Sequence, residues 1–237
     1  MTGFAPPEND GTLTPLQSDL IAMLRAMREA ERDLFAAFEP GGQPLDGDGW
    51  SARDVLAHLA AWRAIEARRL TGVPLAGDPP PGDPVDASNA RLHAERTEWT
   101  DAQVAVEADA SVETLVDAIR ASTTEALCEC DELAAGIGAN GINHAVGHLS
   151  DLSRATGDET RYSAFGVEVE RILRRGHLPP RDSGVMLYNL ACHSALTGRT
   201  DEALRLLAAA FGRRADLRTI AADDPDLASI RGELASL

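Results

Sequence analysis

A chain of 237 residues is long enough for one large domain or two small ones, since domains hold roughly 100–200 residues each. A hydrophobic fraction of 44% with only 4% aromatic residues predicts a core of Ala, Leu, Val and Ile, the composition of packed helices. All 22 basic residues are arginines set against 38 acids, a net charge of −16, which repels DNA, RNA and anionic membranes and excludes nucleic acid as an expected partner.

Residues 1–13 read as a flexible tail. Met1 to Gly11 has neither the basic n-region nor the apolar h-region of a secretory signal. No run approaches the ~20 apolar residues that span a bilayer, so no membrane association is expected and the cytoplasm is the default compartment. Three cysteines, an odd number, do not make a disulfide framework. From Leu16, the residues Leu20, Met23, Leu24, Met27, Leu34, Phe35 and Phe38 recur at three- and four-residue steps, one apolar face of a long helix that Pro40-Gly41-Gly42 stops. In Gly49-Trp50-Ser51-Ala52-Arg53-Asp54, Ser51 can cap a second helix, and Asp54 three residues on suits its positive N-terminal end. Val55, Leu59, Trp62 and Ile65 form that helix's buried stripe. Thr71 to Asp86, with five prolines through Pro84, reads as a long loop and, by position, as a lid or substrate mouth.

A third helical stretch starts near Ser88. A further amphipathic one carries Val112, Leu115, Val116, Ile119 and Leu127 and ends before Gly136 and Gly138. Ile142, Ala145, Val146, Leu149 and Leu152 give the fourth bundle helix. With no alternating strand pattern, the expectation is an all-α chain whose residues 14–157 form an up-down four-helix bundle. Residues 1–157 hold 26 acids against 11 arginines, net −15, and residues 158–237 hold 12 against 11, net −1, which suggests a domain boundary near Gly157. Phe165, Val169 and Leu173 then mark a connecting helix and linker over 158–180, ended by Gly176-His177-Leu178-Pro179-Pro180. Two more helices, roughly Ser183–Thr197 and Thr200–Phe211, meet at Gly198. Their small residues Ala191, Ala203 and Ala210 permit the close approach of a helix-turn-helix repeat, and the pair resembles one tetratricopeptide unit, with Asp223-Asp224-Pro225-Asp226-Leu227 as an end cap. Such a unit needs a neighbour to cover its face, which makes self-association or a protein partner through residues 181–237 an expectation.

Three histidines carry the chemistry. His144 and His148, four apart, project from one helix face at the spacing that lets two imidazoles share a metal ion. His58, between Val55 and Trp62, points toward the interior, where it could meet the pair as a third ligand. The competing reading satisfies each ring with a carbonyl or carboxylate, and a helical wheel puts His144 and His148 on the flank of the Ile142/Val146/Leu149 stripe, where water could solvate them. Cys128 and Cys130 fall on nearly opposite helix faces and read as buried or incidental thiols. Cys192 reads as a small packed hydrophobe, and His93 and His177 have no visible partners. No Gly-rich phosphate loop, Gly-x-Ser-x-Gly elbow or His-Glu-x-x-His occurs.

The run Gly49-Trp50-Ser51-Ala52-Arg53-Asp54-Val55-Leu56-Ala57-His58-Leu59-Ala60-Ala61-Trp62 resembles the second-helix signature of the DinB-like superfamily, which includes mycothiol-dependent maleylpyruvate isomerases, bacillithiol transferases and self-resistance cyclopropane hydrolases. Asn89-Ala90-Arg91 and His144-Ala145-Val146-Gly147-His148-Leu149 fall where such proteins carry matching features, so the resemblance spans about residues 14–157. It implies a divalent metal, zinc or nickel, held by His58, His144 and His148. Three neutral nitrogens leave the ion's charge uncompensated and a position open, so that a water or thiol there could be deprotonated near neutral pH. Asp151, three residues past His148, could support a ligand imidazole as hydrogen-bond acceptor, or be an exposed helix charge. Arg63, Arg68, Arg91 and Arg96 are candidates by position for the carboxylates of a low-molecular-weight thiol, with a solvated helix face as the simpler reading. The implied activity is a transferase, isomerase or hydrolase acting on a small electrophilic substrate, with mycothiol or another thiol as possible cofactor. The alternatives are a ligand-sequestering or self-resistance protein and an adaptor working through its tail.

Overall fold

The computed structural model describes residues 12–38, 45, 49–73, 75, 78–79, 84–128 and 141–237. Among these the chain is all-helical, without a strand. The helices are α1 (Pro15–Phe35), α2 (Ala52–Thr71), α3 (Val85–Ala94), α4 (Asp101–Ala121), α5 (Thr124–Cys128), α6 (His144–Thr156), α7 (Glu159–Leu173), α8 (Pro180–Leu196), α9 (Thr200–Arg213) and α10 (Leu217–Asp223), followed by 3₁₀ turns at Pro225–Ile230 and Leu234–Ser236.

The long N-terminal helices start where their sequences offer a cap. Thr14, Ser51 and Thr100 each accept a hydrogen bond from the backbone N–H three residues on, while Gln17, Asp54 and Gln103 reach back to the cap's own N–H. These capping boxes satisfy donors that a helix start otherwise leaves bare. Gln17 does a second job: its Nε2 donates to Ile119 O and Ser122 O, each at 2.9 Å, which covers carbonyls at the C-terminus of α4 and fixes α1 across that helix end. α2 stops at Gly72, in the left-handed conformation with φ 70°, where a side chain would be strained.

Helices α2 and α4 pack most extensively. Ala57 and Ala60 of α2 meet Val104 and Ala108 of α4, and these small side chains let the backbones approach. α1 lies against α4, α6 and α7 through Leu20, Met23, Leu24 and Met27, all buried. Residues 141–143, just before α6, are π-helical, an irregularity often found at functional sites.

The apolar core does not stop at Gly157, the left-handed cap of α6. Leu149 and Leu152 of α6, Phe165 and Val169 of α7 and Leu187 and Leu190 of α8 share one cluster with the α1 residues. Beyond it α8 and α9 turn at Gly198, φ 75°, and pack through Ala191, Ala203 and Ala210, each with no exposed surface. The 3₁₀ turn Pro225–Ile230 folds back on α8 and buries Leu227 and Ile230. Among the described residues no helix is long and apolar enough to cross a membrane.

Of the tail 1–13, only residues 12 and 13 are described. Pro40-Gly41-Gly42, Cys130, Gly136 and Gly138 lie outside the described residues, as do residues 74, 76, 77 and 80–83 of the Thr71–Asp86 segment, whose two ends belong to the flanking helices. α3 starts at Val85, behind Pro84 as its cap, three residues before the sequence signal at Ser88.

Candidate metal centre

His58 comes from the first half of α2, and His144 and His148 from the first turns of α6. The Nε2 atoms of His58 and His144 are 3.0 Å apart, and those of His144 and His148 are also 3.0 Å apart. Ring centroids are separated by 4.6, 5.3 and 4.7 Å. All three donor atoms lie within 4.8 Å of one another. His58 is buried and the other two are half-buried. The flank position of His144 and His148 is therefore what aims them at α2, not a reason for solvation.

Burial disfavours the charged imidazolium, and the neighbouring rings add to the effect. His58 is pushed down to about 2 by desolvation and then by His144 and His148. His144 is pushed down to about 3 by desolvation, then by His148 and the guanidinium of Arg63. His148 is lowered by burial. All three rings are thus neutral at physiological pH, the form in which imidazole binds metals.

Hydrogen bonding alone fits this arrangement poorly. Each neutral ring nitrogen has either one proton or one in-plane lone pair, so His144 Nε2, approached from two sides, can make only one well-aligned bond. Nor do the opposite nitrogens compensate: among the described residues His58 Nδ1 and His144 Nδ1 have no partner. A cation suits three converging lone pairs. Zinc–nitrogen bonds of about 2.0–2.1 Å give tetrahedral edges of about 3.3 Å, close to the two 3.0 Å separations.

A cavity of about 390 Å³ adjoins the cluster, lined by Leu45, Trp50, Val55, His148, Asp151, Arg154 and Ala155. Trp50 is its aromatic wall. The indole meets His58 edge-on at 4.9 Å and stacks on His93 at 5.1 Å and 9°. His93, without a visible partner in the sequence, thus braces the cavity wall, and its Nε2 is 3.6 Å from Asp54 Oδ1.

Asp151 is exposed, and its carboxylate lies 3.5 Å from Arg154 Nη1. It faces that guanidinium and the cavity and makes no hydrogen bond to a ligand imidazole. Desolvation raises its pKa.

Arg63 departs furthest from the sequence reading. Instead of a solvated face it occupies the interior, 1% exposed. Both of its terminal nitrogens bind Glu31, Nη2 at 3.0 Å, and its Nε donates to Ser111 Oγ at 3.2 Å. Arg28 extends the network to Asp109, Nε to Oδ1 at 2.6 Å, so a line of charge buried at Arg63, Glu31 and Arg28 joins α1 and α2 to the half-exposed Asp109 of α4. Arg68 is tied to Asp78 and Arg96 to Glu107, while Arg91 is exposed on α3. None of the four lines the cavity. Arg154 does, and only the spacing from His148 along α6 could have pointed to it.

A second group, Cys192, Asp224 and Asp226, also brings its donor atoms within 4.8 Å. Its chemistry is less suited to a metal. Burial and the two carboxylates push the Cys192 thiol up, and Asp224 Oδ2 already accepts from Tyr188 Oη at 2.6 Å. His177, for its part, lies 2.9 Å from the buried Asp19, which also binds Arg175 at 2.7 Å. No family model, curated protein or solved structure matches the chain.

Proposed function

We propose that the chain is a metal-dependent enzyme of DinB-like type, with a divalent ion held by His58, His144 and His148 and a small electrophilic molecule taken into the adjoining cavity. The observation that carries the reading is the convergence of three neutral Nε2 atoms, two pairs at 3.0 Å, on a point beside that cavity. An ion bound there would lower the pKa of a coordinated water or low-molecular-weight thiol and so supply a nucleophile near neutral pH.

The protein's own residues do the rest. Trp50, Val55 and Leu45 offer an apolar wall that orients the substrate and excludes water from one side. Asp151, whose pKa is raised, and Arg154 face the same space. Arg154 can hold an anionic group, and Asp151 can accept a proton from the nucleophile. The reaction is of transferase, isomerase or hydrolase type, and mycothiol or another thiol is the proposed co-substrate. In this reading residues 14–157 are the DinB-like bundle and 181–237 a tetratricopeptide-like appendage. The chain's net charge of −16 disfavours nucleic acid and anionic membranes as partners.

One observation favours ligand sequestration as a second reading: the cavity is bounded by Trp50 stacked on His93, a wall that holds a flat apolar molecule without turnover. Elemental analysis of protein purified without chelator separates the two. Near one zinc or nickel per chain, lost in His148→Ala, supports the enzyme. Metal-free protein that retains ligands supports sequestration.

A further inference from the structure

The C-terminal helices contribute no ligand to the histidine cluster, yet they grip the helix that carries two of them. Ser150, two residues beyond His148, is buried, and its Oγ lies 2.8 Å from His193 Nδ1 on α8. The ring of His193 is wholly enclosed, and its Nε2 is 2.8 Å from Glu159 Oε2 at the start of α7. That contact is short but too poorly aligned for a good hydrogen bond. Tyr162 of α7 covers the same ring at 3.7 Å between centroids and donates from its hydroxyl to Val146 O at 3.2 Å. Asn189 of α8 donates to Asn143 O at 3.4 Å, just before α6 begins.

Serine, histidine and glutamate in this order suggest a nucleophilic triad, but enclosure of the ring leaves no room for an acyl substrate at Ser150. The same enclosure suits a clamp. Ser150 shares its helix with His144 and His148, so a bond that fixes the rotation of α6 also fixes where the two imidazoles point. Metal constellations tolerate only about 0.5 Å of displacement.

We infer that His193 is a positioning residue for the metal centre: by accepting from Ser150 and packing between Tyr162 and Glu159, it sets the rotation and register of α6 and thereby the geometry of His144 and His148. The segment beyond Gly157 thus has a role in the site, independent of any partner it binds. The inference rests on the three-histidine reading above.

Cobalt(II) titration of the full chain tests it, with binding followed by the visible d–d bands and affinity measured by chelator competition. Wild type is compared with His193→Ala, His193→Asn and, as a control for mild core destabilisation, Leu206→Val in α9. The expected result is one cobalt per wild-type chain and binding weakened about 10-fold or more in His193→Ala, with shifted bands. His193→Asn, whose Oδ1 can still accept from Ser150, recovers most of both. Lost stability alone leaves the band positions of the folded chain unchanged, as expected for Leu206→Val. Folded His193→Ala with wild-type affinity and bands overturns the inference. If His193→Ala does not fold, Ser150→Ala, which removes only the hydroxyl, is read in the same way. Failure of the wild type to bind cobalt would instead overturn the metal reading itself, and the clamp's role with it.

Discussion

His58 and His144 stand 86 residues apart in the chain, yet their Nε2 atoms meet at 3.0 Å between α2 and α6. Two neutral rings placed edge to face gain little from one shared proton, and both leave a buried Nδ1 without a partner among the described residues. An unsatisfied buried polar group costs about 1–3 kcal/mol. The pair is therefore an expense to the metal-free fold, which a bound cation would offset.

Acid should expose that expense. Ordinary unfolded histidine titrates near 6.5, while folded His58 and His144 are pushed down to about 2 and about 3, and buried His193 to about 3. Between these limits the unfolded chain binds more protons, so stability is fully present above about pH 6.5 and falls as pH drops toward the folded values. Each such histidine contributes a slope of up to about 1.4 kcal/mol per pH unit. Urea midpoints of metal-free protein should change little from pH 7.5 to about pH 6.5 and then fall toward pH 5, and a profile flat to pH 5 would count against buried neutral imidazoles. Zinc at 100 times its Kd should add about 2.7 kcal/mol at pH 7.5.

Asp151→Asn should leave metal content per chain unchanged. Its carboxylate faces Arg154, not an imidazole, so removing the charge disturbs no ligand. Elemental analysis decides, and a loss of metal comparable to that in His148→Ala would restore Asp151 as the acceptor that supports a ligand imidazole.

Arg63→Ala strands the Glu31 carboxylate, 1% exposed, with only Arg28 at 3.3 Å. Breaking one side of a buried pair costs about 3–5 kcal/mol. The double variant Glu31→Leu/Arg63→Met should be markedly more stable than Arg63→Ala, since no uncompensated charge remains. Chemical unfolding of the two variants checks the order.

Ser51→Ala removes the hydroxyl that accepts from Asp54 N and should lower stability by about 1 kcal/mol, the usual worth of an N-cap. Thermal unfolding of the metal-free chain measures it. No change would mean that water or Asp54 replaces the hydroxyl.

What the sequence made legible were features with short-range causes. Ser51 and Asp54 announced the start of α2 three residues apart, the apolar stripes of α1 and α4 followed the helical period, and Gly198 marked the turn between α8 and α9. His58, His144 and His148 were visible as spacing. What stayed hidden depended on distant partners: His177 finds Asp19 at a separation of 158 residues and Arg63 finds Glu31 at 32. The sequence offers no period that matches a buried arginine to its carboxylate. Charge composition suggested a break at Gly157, but the core runs through it, because surface charge does not report what the apolar faces on either side pack against.

X-ray absorption at the zinc edge, on the 237-residue chain loaded with one equivalent, reads the ligand set itself. Three imidazole nitrogens at about 2.0–2.1 Å are expected, with the characteristic multiple scattering of the rings, all but lost in His148→Ala. A sulfur shell near 2.3 Å, which only a thiol such as that of Cys192 or an added small-molecule thiol could supply in place of the rings, or an all-oxygen shell indifferent to His148, would contradict the three-histidine site.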